Sequence, residues 1–176
     1  MAREHVIASG AIGRRLIHWR AALLAGLAGG IAFLVLQPFL TLMVSGESFW
    51  APLRMIAAIL MGRGVLEAEG FGFGPLLAAL LVHFALSLVY GVGFGLIVHR
   101  WHMGLWRWNT SLATAVGAVY GVALFALNFF AFTQLFPWFA EARSVVTLFT
   151  HIAFGAVVGV AYAKFAQAQR EAQAPR

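Results

Sequence analysis

The chain has no cysteine and few charged residues. The absence of cysteine excludes disulfides, thiolate metal sites and iron–sulfur clusters with cysteine ligands. Charged residues make up only 10% of the 176 residues, against about 25% in typical soluble domains, whereas hydrophobic residues make up 62%. So few charged side chains cannot cover the outside of a soluble fold. The composition therefore predicts an integral membrane protein with the lipid bilayer around it.

Motifs of catalysis are also missing from the sequence. It shows no serine nucleophile with a base, no paired carboxylates and no phosphate-binding loop. Basic residues outnumber acidic ones and the net charge is +6, but they form no stripe along one helix or face. We therefore expect a non-catalytic protein that does not bind nucleic acid.

Four stretches lack Asp, Glu, Lys and Arg and are long enough to cross a membrane as helices. They cover residues 21–44, 76–98, 111–136 and 145–163, each close to or above the roughly 20 residues that a span requires. Segment 49–61 is too short to cross and carries Pro52 and Arg54, so we expect a short interfacial helix after the first span. The predicted fold is all-α: a four-helix bundle forming a single transmembrane domain over residues 1–176.

The positions of the 12 Lys and Arg residues predict the orientation in the membrane. Most of them lie in the N-terminal segment, the loop between the second and third spans, and the C-terminal tail. Arg54, Arg63 and Arg143 fall on the opposite side. Because positive residues concentrate in cytoplasmic segments, we expect both termini in the cytoplasm.

Similar segments occur in the two halves of the chain. GIAFLVLQPF in the first span aligns with GVALFALNFF in the third, which places Gln37 opposite Asn128. HFALSLVYGVGFG in the second span aligns with HIAFGAVVGVAYA in the fourth, which places His83 opposite His151. We therefore expect two parallel helical-hairpin repeats, residues 16–98 and 108–165, although apolar helices can also resemble each other by chance.

Small residues recur at every fourth position of each span and so share one helix face. Such faces let helix backbones approach closely, which drives helix association in lipid. We expect the helices to pack through glycines on these faces: Gly26, Gly30, Gly91, Gly95, Gly117, Gly121, Gly155 and Gly159.

Each span also carries one polar residue on its small-residue face, at a similar depth from the outer end. The four residues are Gln37, His83, Asn128 and His151. Polar groups in hydrocarbon are costly without partners, so such residues are functional candidates by default. We expect them to form a polar cluster inside the bundle.

Three interpretations of this cluster stay open. It can be a structural hydrogen-bond layer, a path for a small solute or proton, or a cofactor site. In the last case His83 and His151 would ligate haem b axially or hold a metal, although two imidazoles alone make an incomplete zinc site.

Residues 50–66 (WAPLRMIAAILMGRGVL), followed by residues 82–87 (VHFALS), resemble small uncharacterised bacterial inner-membrane proteins. Some of those proteins carry labels as sodium/solute symporters, but symporter folds pair larger repeats than a two-helix unit. The resemblance implies a location in the bacterial inner membrane.

The first hypothesis is therefore an accessory subunit or oligomeric component of a larger inner-membrane complex, with a protein partner or further copies of itself. A small solute or proton transporter or channel component is the alternative, and a bis-His haem b or metal-binding membrane protein comes third.

Overall fold

The computed structural model describes residues 17–101, 103 and 109–174 of the chain. These residues contain no β-strand and form five α-helices joined by short 3₁₀ and π-helical turns. The helices are α1 (Trp19–Leu40), α2 (Ala51–Met61), α3 (Phe73–Arg100), α4 (Thr110–Ala126) and α5 (Val145–Gln173). The predicted all-α class is confirmed.

Four of the helical stretches are long and apolar enough to cross a membrane: Trp19–Ser45, Phe73–Arg100, Thr110–Gln134 and Val145–Gln173. The shortest has 25 residues. At about 1.5 Å per residue it reaches beyond the roughly 30 Å of hydrocarbon in a bilayer. The prediction of four membrane-spanning helices is confirmed in length and composition.

The predicted domain 1–176 and the predicted repeats, which begin at residues 16 and 108, extend outside the described residues. The predicted orientation also depends partly on such residues, namely Arg3, Arg14, Arg15, Arg107 and Arg176. The domain bounds and the cytoplasmic placement of the termini stay predictions. His18 and Arg170 are in contact, which places the start of α1 and the end of α5 on the same side of the bundle.

The short helix α2 packs against α3 through a small apolar cluster of Leu53, Ala57 and Ala79. Arg54 donates a hydrogen bond to the Gly70 carbonyl oxygen at 3.1 Å and so ties α2 to the turn that precedes α3. The location of this helix at the membrane surface stays a prediction.

Close glycine contacts join the helices in two pairs. Gly26, Gly30, Gly91 and Gly95 lie where α1 meets α3, and Gly117, Gly121, Gly155 and Gly159 lie where α4 meets α5. A Cβ added to Gly117 would come within 3.0 Å of the Gly155 carbonyl oxygen. Backbone touches backbone at six of these glycines, whereas Gly30 and Gly95 lie against side chains of Ser87, Ala22 and Tyr162.

The two hairpins do not contact each other symmetrically. Helix α1 packs closely against α5, whereas α3 and α4 stand further apart and are bridged by tyrosine side chains. The Tyr120 hydroxyl donates to the Tyr90 carbonyl oxygen at 2.7 Å across this gap. A twofold axis between the two hairpins would make the α1–α5 contact equivalent to the α3–α4 contact. The two contacts differ, and the internal repeat stays a prediction.

Candidate binding cavity

A cavity of about 390 Å³ lies among the helices, in the half of the bundle away from the chain ends. The C-terminal part of α1, the middle of α3 and the N-terminal part of α5 line it, together with the end of α4 and one face of α2. Its size falls within the roughly 300–1,000 Å³ of small-molecule sites. The exposed residues Glu47 and Glu141 also line it, so the cavity reaches the surface at the segments that connect the helices.

Two π-helical turns lie at the cavity, each following a membrane-spanning helix. Residues Thr41–Ser45 continue α1, and Leu127–Ala131 continue α4. Thr41 and Ser45 of the first turn and Asn128 and Phe129 of the second line the cavity. Single π turns inside α-helices occur often at functional sites.

A chain of hydrogen bonds connects α3, α4 and α5 beside the cavity. The Tyr90 hydroxyl donates to Asn128 Oδ1 at 2.5 Å, and Asn128 Nδ2 lies 3.2 Å from His151 Nε2. His151 Nδ1 lies 2.8 Å from the Thr147 carbonyl oxygen, which can only accept. His151 is therefore protonated on Nδ1, and its Nε2 accepts from the Asn128 amide.

Gln37 belongs to a second polar group, which joins α1 to α5. Its side-chain amide nitrogen lies 3.3 Å from the hydroxyl oxygens of both Thr41 and Thr147, and the Thr150 hydroxyl donates to its Oε1. Thr147 connects the two groups, since its hydroxyl meets Gln37 and its carbonyl oxygen meets His151. Three of the four predicted cluster residues are thus linked through one threonine.

His83 stands apart from these bonds. Its Nε2 lies 2.8 Å from the Gly30 carbonyl oxygen, so Nε2 carries the proton and Nδ1 is an acceptor. The Phe33 ring contacts both imidazoles: its centroid lies 5.5 Å from that of His83 and 5.0 Å from that of His151. His83 is therefore near the other three residues but is not hydrogen-bonded to them.

Ligation of one iron or metal by both imidazoles would require rearrangement. Phe33 would have to move away from both rings, and His151 would lose its bond to Asn128 before Nε2 could bind an ion. The described residues contain no group of three or more His, Cys, Asp or Glu that could hold a metal. The haem b and metal hypotheses stay predictions.

The half of the bundle nearer the chain ends is close-packed. Phe94, Val158 and Tyr162 are almost fully buried there, among the alanines of α1 and α5. The cavity therefore opens away from the chain ends and has a packed floor towards them.

Several residues of the cavity were not predicted. Thr147 precedes His151 by four positions and shares its helix face, so extending the four-residue periodicity would have found it, whereas Thr150 directly precedes His151 and lies on a different face. Tyr90 and Phe33 have no comparable pattern, because tyrosine and phenylalanine are ordinary residues of apolar helices. The contribution of α2 to the cavity wall depends on tertiary packing that no local pattern encodes.

Comparison of the chain with protein-family models, curated proteins and solved structures finds no match. Its function therefore has to be inferred from the cavity and the surrounding bundle.

Proposed function

We propose that this protein binds a small organic solute inside the membrane, without catalysis, as one component of a solute-transporting assembly. The observation that carries the proposal is the cavity of about 390 Å³, with mostly apolar walls and a few convergent polar groups. Binding sites for small molecules have this character.

Access from one side favours a transport role over a purely structural one. The cavity reaches the surface beside Glu47 and Glu141, and the packed layer around Phe94 and Tyr162 lies beneath it. A transporter alternates between states that open to one side at a time. The arrangement corresponds to a state open on the side that we predict to be outside the cytoplasm.

The close-packed half of the bundle, nearer the chain ends, would block a solute and so requires a partner. Backbone contacts at Gly26 and Gly91, and at Gly117 and Gly155, leave no room for a solute between the paired helices. A solute could pass only if the two hairpins moved apart or if a second surface completed the path. We therefore place the protein in an assembly with further copies of itself or a protein partner.

Cysteine accessibility tests the proposal. Because the chain has no cysteine, an introduced cysteine carries the only thiol that a reagent can modify. Leu86→Cys places a thiol in the cavity wall, Val158→Cys in the packed half, and Leu81→Cys on an exposed face that we predict to meet lipid. A charged, water-soluble methanethiosulfonate reagent should modify only Leu86→Cys, and only from one side of sealed vesicles.

Solute binding should then slow this modification. We would add 4-phenylbutylammonium, 4-phenylbutanol or 4-phenylbutanoate, each separately, and measure the rate at Leu86→Cys. Slowing by any of the three supports a binding site. An accessible thiol that all three leave equally reactive would contradict the proposal, as would a thiol that reacts from neither side.

A further inference from the structure

The charged residues that line the cavity are acidic. Glu47 and Glu141 stand at its mouth, and no lysine or arginine is among the described residues of its wall. Arg63 pairs with Glu141 at 3.5 Å, but both side chains are largely exposed, so the pair is weak. Glu47 forms no ion pair with another described residue. Arg143 lies beside the mouth, but its guanidinium contacts the Phe129 carbonyl oxygen and the Phe130 ring. Among the described residues, the unpaired charge at the mouth is therefore that of Glu47, which favours a positively charged ligand.

A hydrogen-bond acceptor on a buried residue lies deeper in the wall. His83 is only 7% exposed, and its Nε2 donates to the Gly30 carbonyl oxygen. Its Nδ1 has no hydrogen-bond partner among the described residues, although His83 lines the cavity. This nitrogen is not among the fully buried atoms, so it is an accessible acceptor that a ligand N–H can meet.

Aromatic rings form part of the remaining wall, beside aliphatic residues such as Met55, Ile56 and Leu86. Six phenylalanines line the cavity: Phe33, Phe129, Phe132, Phe136, Phe139 and Phe154. The face of an aromatic ring carries partial negative charge and attracts cations, while its carbon surface accepts apolar groups. An anion would meet the carboxylates of Glu47 and Glu141, which disfavour it.

We infer that the ligand of this cavity is a lipophilic organic cation: a protonated amine on an alkyl or arylalkyl group. Its ammonium group donates to His83 Nδ1, its apolar part lies against the phenylalanine rings, and the carboxylates at the mouth attract it. This inference rests on the proposed function, because it names the class of solute that the cavity binds.

The three phenylbutyl probes also test the ligand class, because they share one apolar part and differ in charge. Protection of Leu86→Cys should need about tenfold less 4-phenylbutylammonium than 4-phenylbutanol, and 4-phenylbutanoate should protect least. Glu47→Gln, in the Leu86→Cys background, should weaken protection by the cation roughly fivefold and leave that by the alcohol unchanged. Glu67→Gln is the matched control, since Glu67 does not line the cavity.

A separate variant tests the role of His83 as a hydrogen-bond acceptor. His83→Phe keeps an aromatic ring but removes Nδ1, together with the Nε2–H bond to the Gly30 carbonyl oxygen, and in the same background it should reduce the preference for the cation over the alcohol. Equal or better protection by the alcohol or the carboxylate would overturn the ligand class while leaving the binding site in place. Absence of protection by all three probes would contradict the proposed function itself.

Discussion

Asn128 and His151 are hydrogen-bonded across the contact between α4 and α5, with 3.2 Å between Asn128 Nδ2 and His151 Nε2. The other side of the Asn128 amide accepts from the Tyr90 hydroxyl of α3. One carboxamide therefore satisfies two polar groups from two different helices. Because α3 and α4 have little direct backbone contact, this amide contributes to holding them in register.

Replacement of Asn128 should destabilise the bundle. Asn128→Ala leaves the Tyr90 hydroxyl and His151 Nε2 without partners, and we expect a loss of about 1–2 kcal/mol in the free energy of unfolding. Reversible unfolding in mixed detergent micelles measures this. Gln134→Ala is the control, since Gln134 is exposed and its side chain bonds to no other described residue. Equal stability of the two variants would show that the Asn128 bonds contribute nothing.

The α4–α5 contact should not tolerate even one methyl group at Gly117. Gly117→Ala brings a Cβ within 3.0 Å of the Gly155 carbonyl oxygen, so the helices must separate. Overpacking of this kind costs about 1–3 kcal/mol. Gly64→Ala is the matched control, because a Cβ there meets nothing within 4 Å and the residue does not have a positive φ. Thermal unfolding should separate the two variants, and coinciding curves would refute this close contact.

Much of the fold could be predicted because it follows from local composition. Uncharged stretches of about 20 residues identify spans, since a charged side chain in hydrocarbon is strongly disfavoured. The four-residue spacing of glycines places Gly26 and Gly117 on the packing faces of their helices, because residues four apart lie on one side of a regular helix. The sequence could not show that α1 packs on α5 while α3 and α4 stay apart, because this depends on tertiary contacts that no local pattern encodes.

The candidate site was partly predictable. Gln37, Asn128 and His151 stand out as rare polar residues in apolar spans, and the structure links them through Thr147. The internal alignment pairs His83 with His151, yet their surroundings differ: His83 bonds to a backbone oxygen of α1, and His151 bonds to Asn128 in the π turn that follows α4. Local sequence similarity does not specify which residue of another helix contacts each imidazole ring.

Arg143 should hold the end of α4 in place. Its Nε donates to the Phe129 carbonyl oxygen at 2.7 Å, and its guanidinium lies over the Phe130 ring. Arg143→Ala removes both contacts to the π turn at Leu127–Ala131, and we expect backbone amides in that turn to exchange hydrogen about fivefold faster, which corresponds to about 1 kcal/mol. Hydrogen-exchange mass spectrometry measures this. Arg63→Ala, which removes only an exposed ion pair, should leave the turn unchanged. Equal exchange in the two variants would contradict the role of Arg143.

The two histidines of the cavity should carry their protons on different ring nitrogens. His83 donates from Nε2 to the Gly30 carbonyl oxygen, whereas His151 donates from Nδ1 to the Thr147 carbonyl oxygen. Nitrogen-15 NMR of histidine-labelled protein in nanodiscs distinguishes the two tautomers, since a protonated and an unprotonated ring nitrogen have well-separated shifts.

The chain has six histidines, so single variants assign the signals. We expect His83→Gln to remove a neutral Nε2–H imidazole and His151→Gln to remove a neutral Nδ1–H imidazole. His99→Gln, at the far end of α3, should leave both in place. Loss of the same tautomer in both variants would show that one of the two backbone bonds is absent. If that bond were the one at His83, Nδ1 would no longer be the free acceptor on which recognition of an organic cation depends.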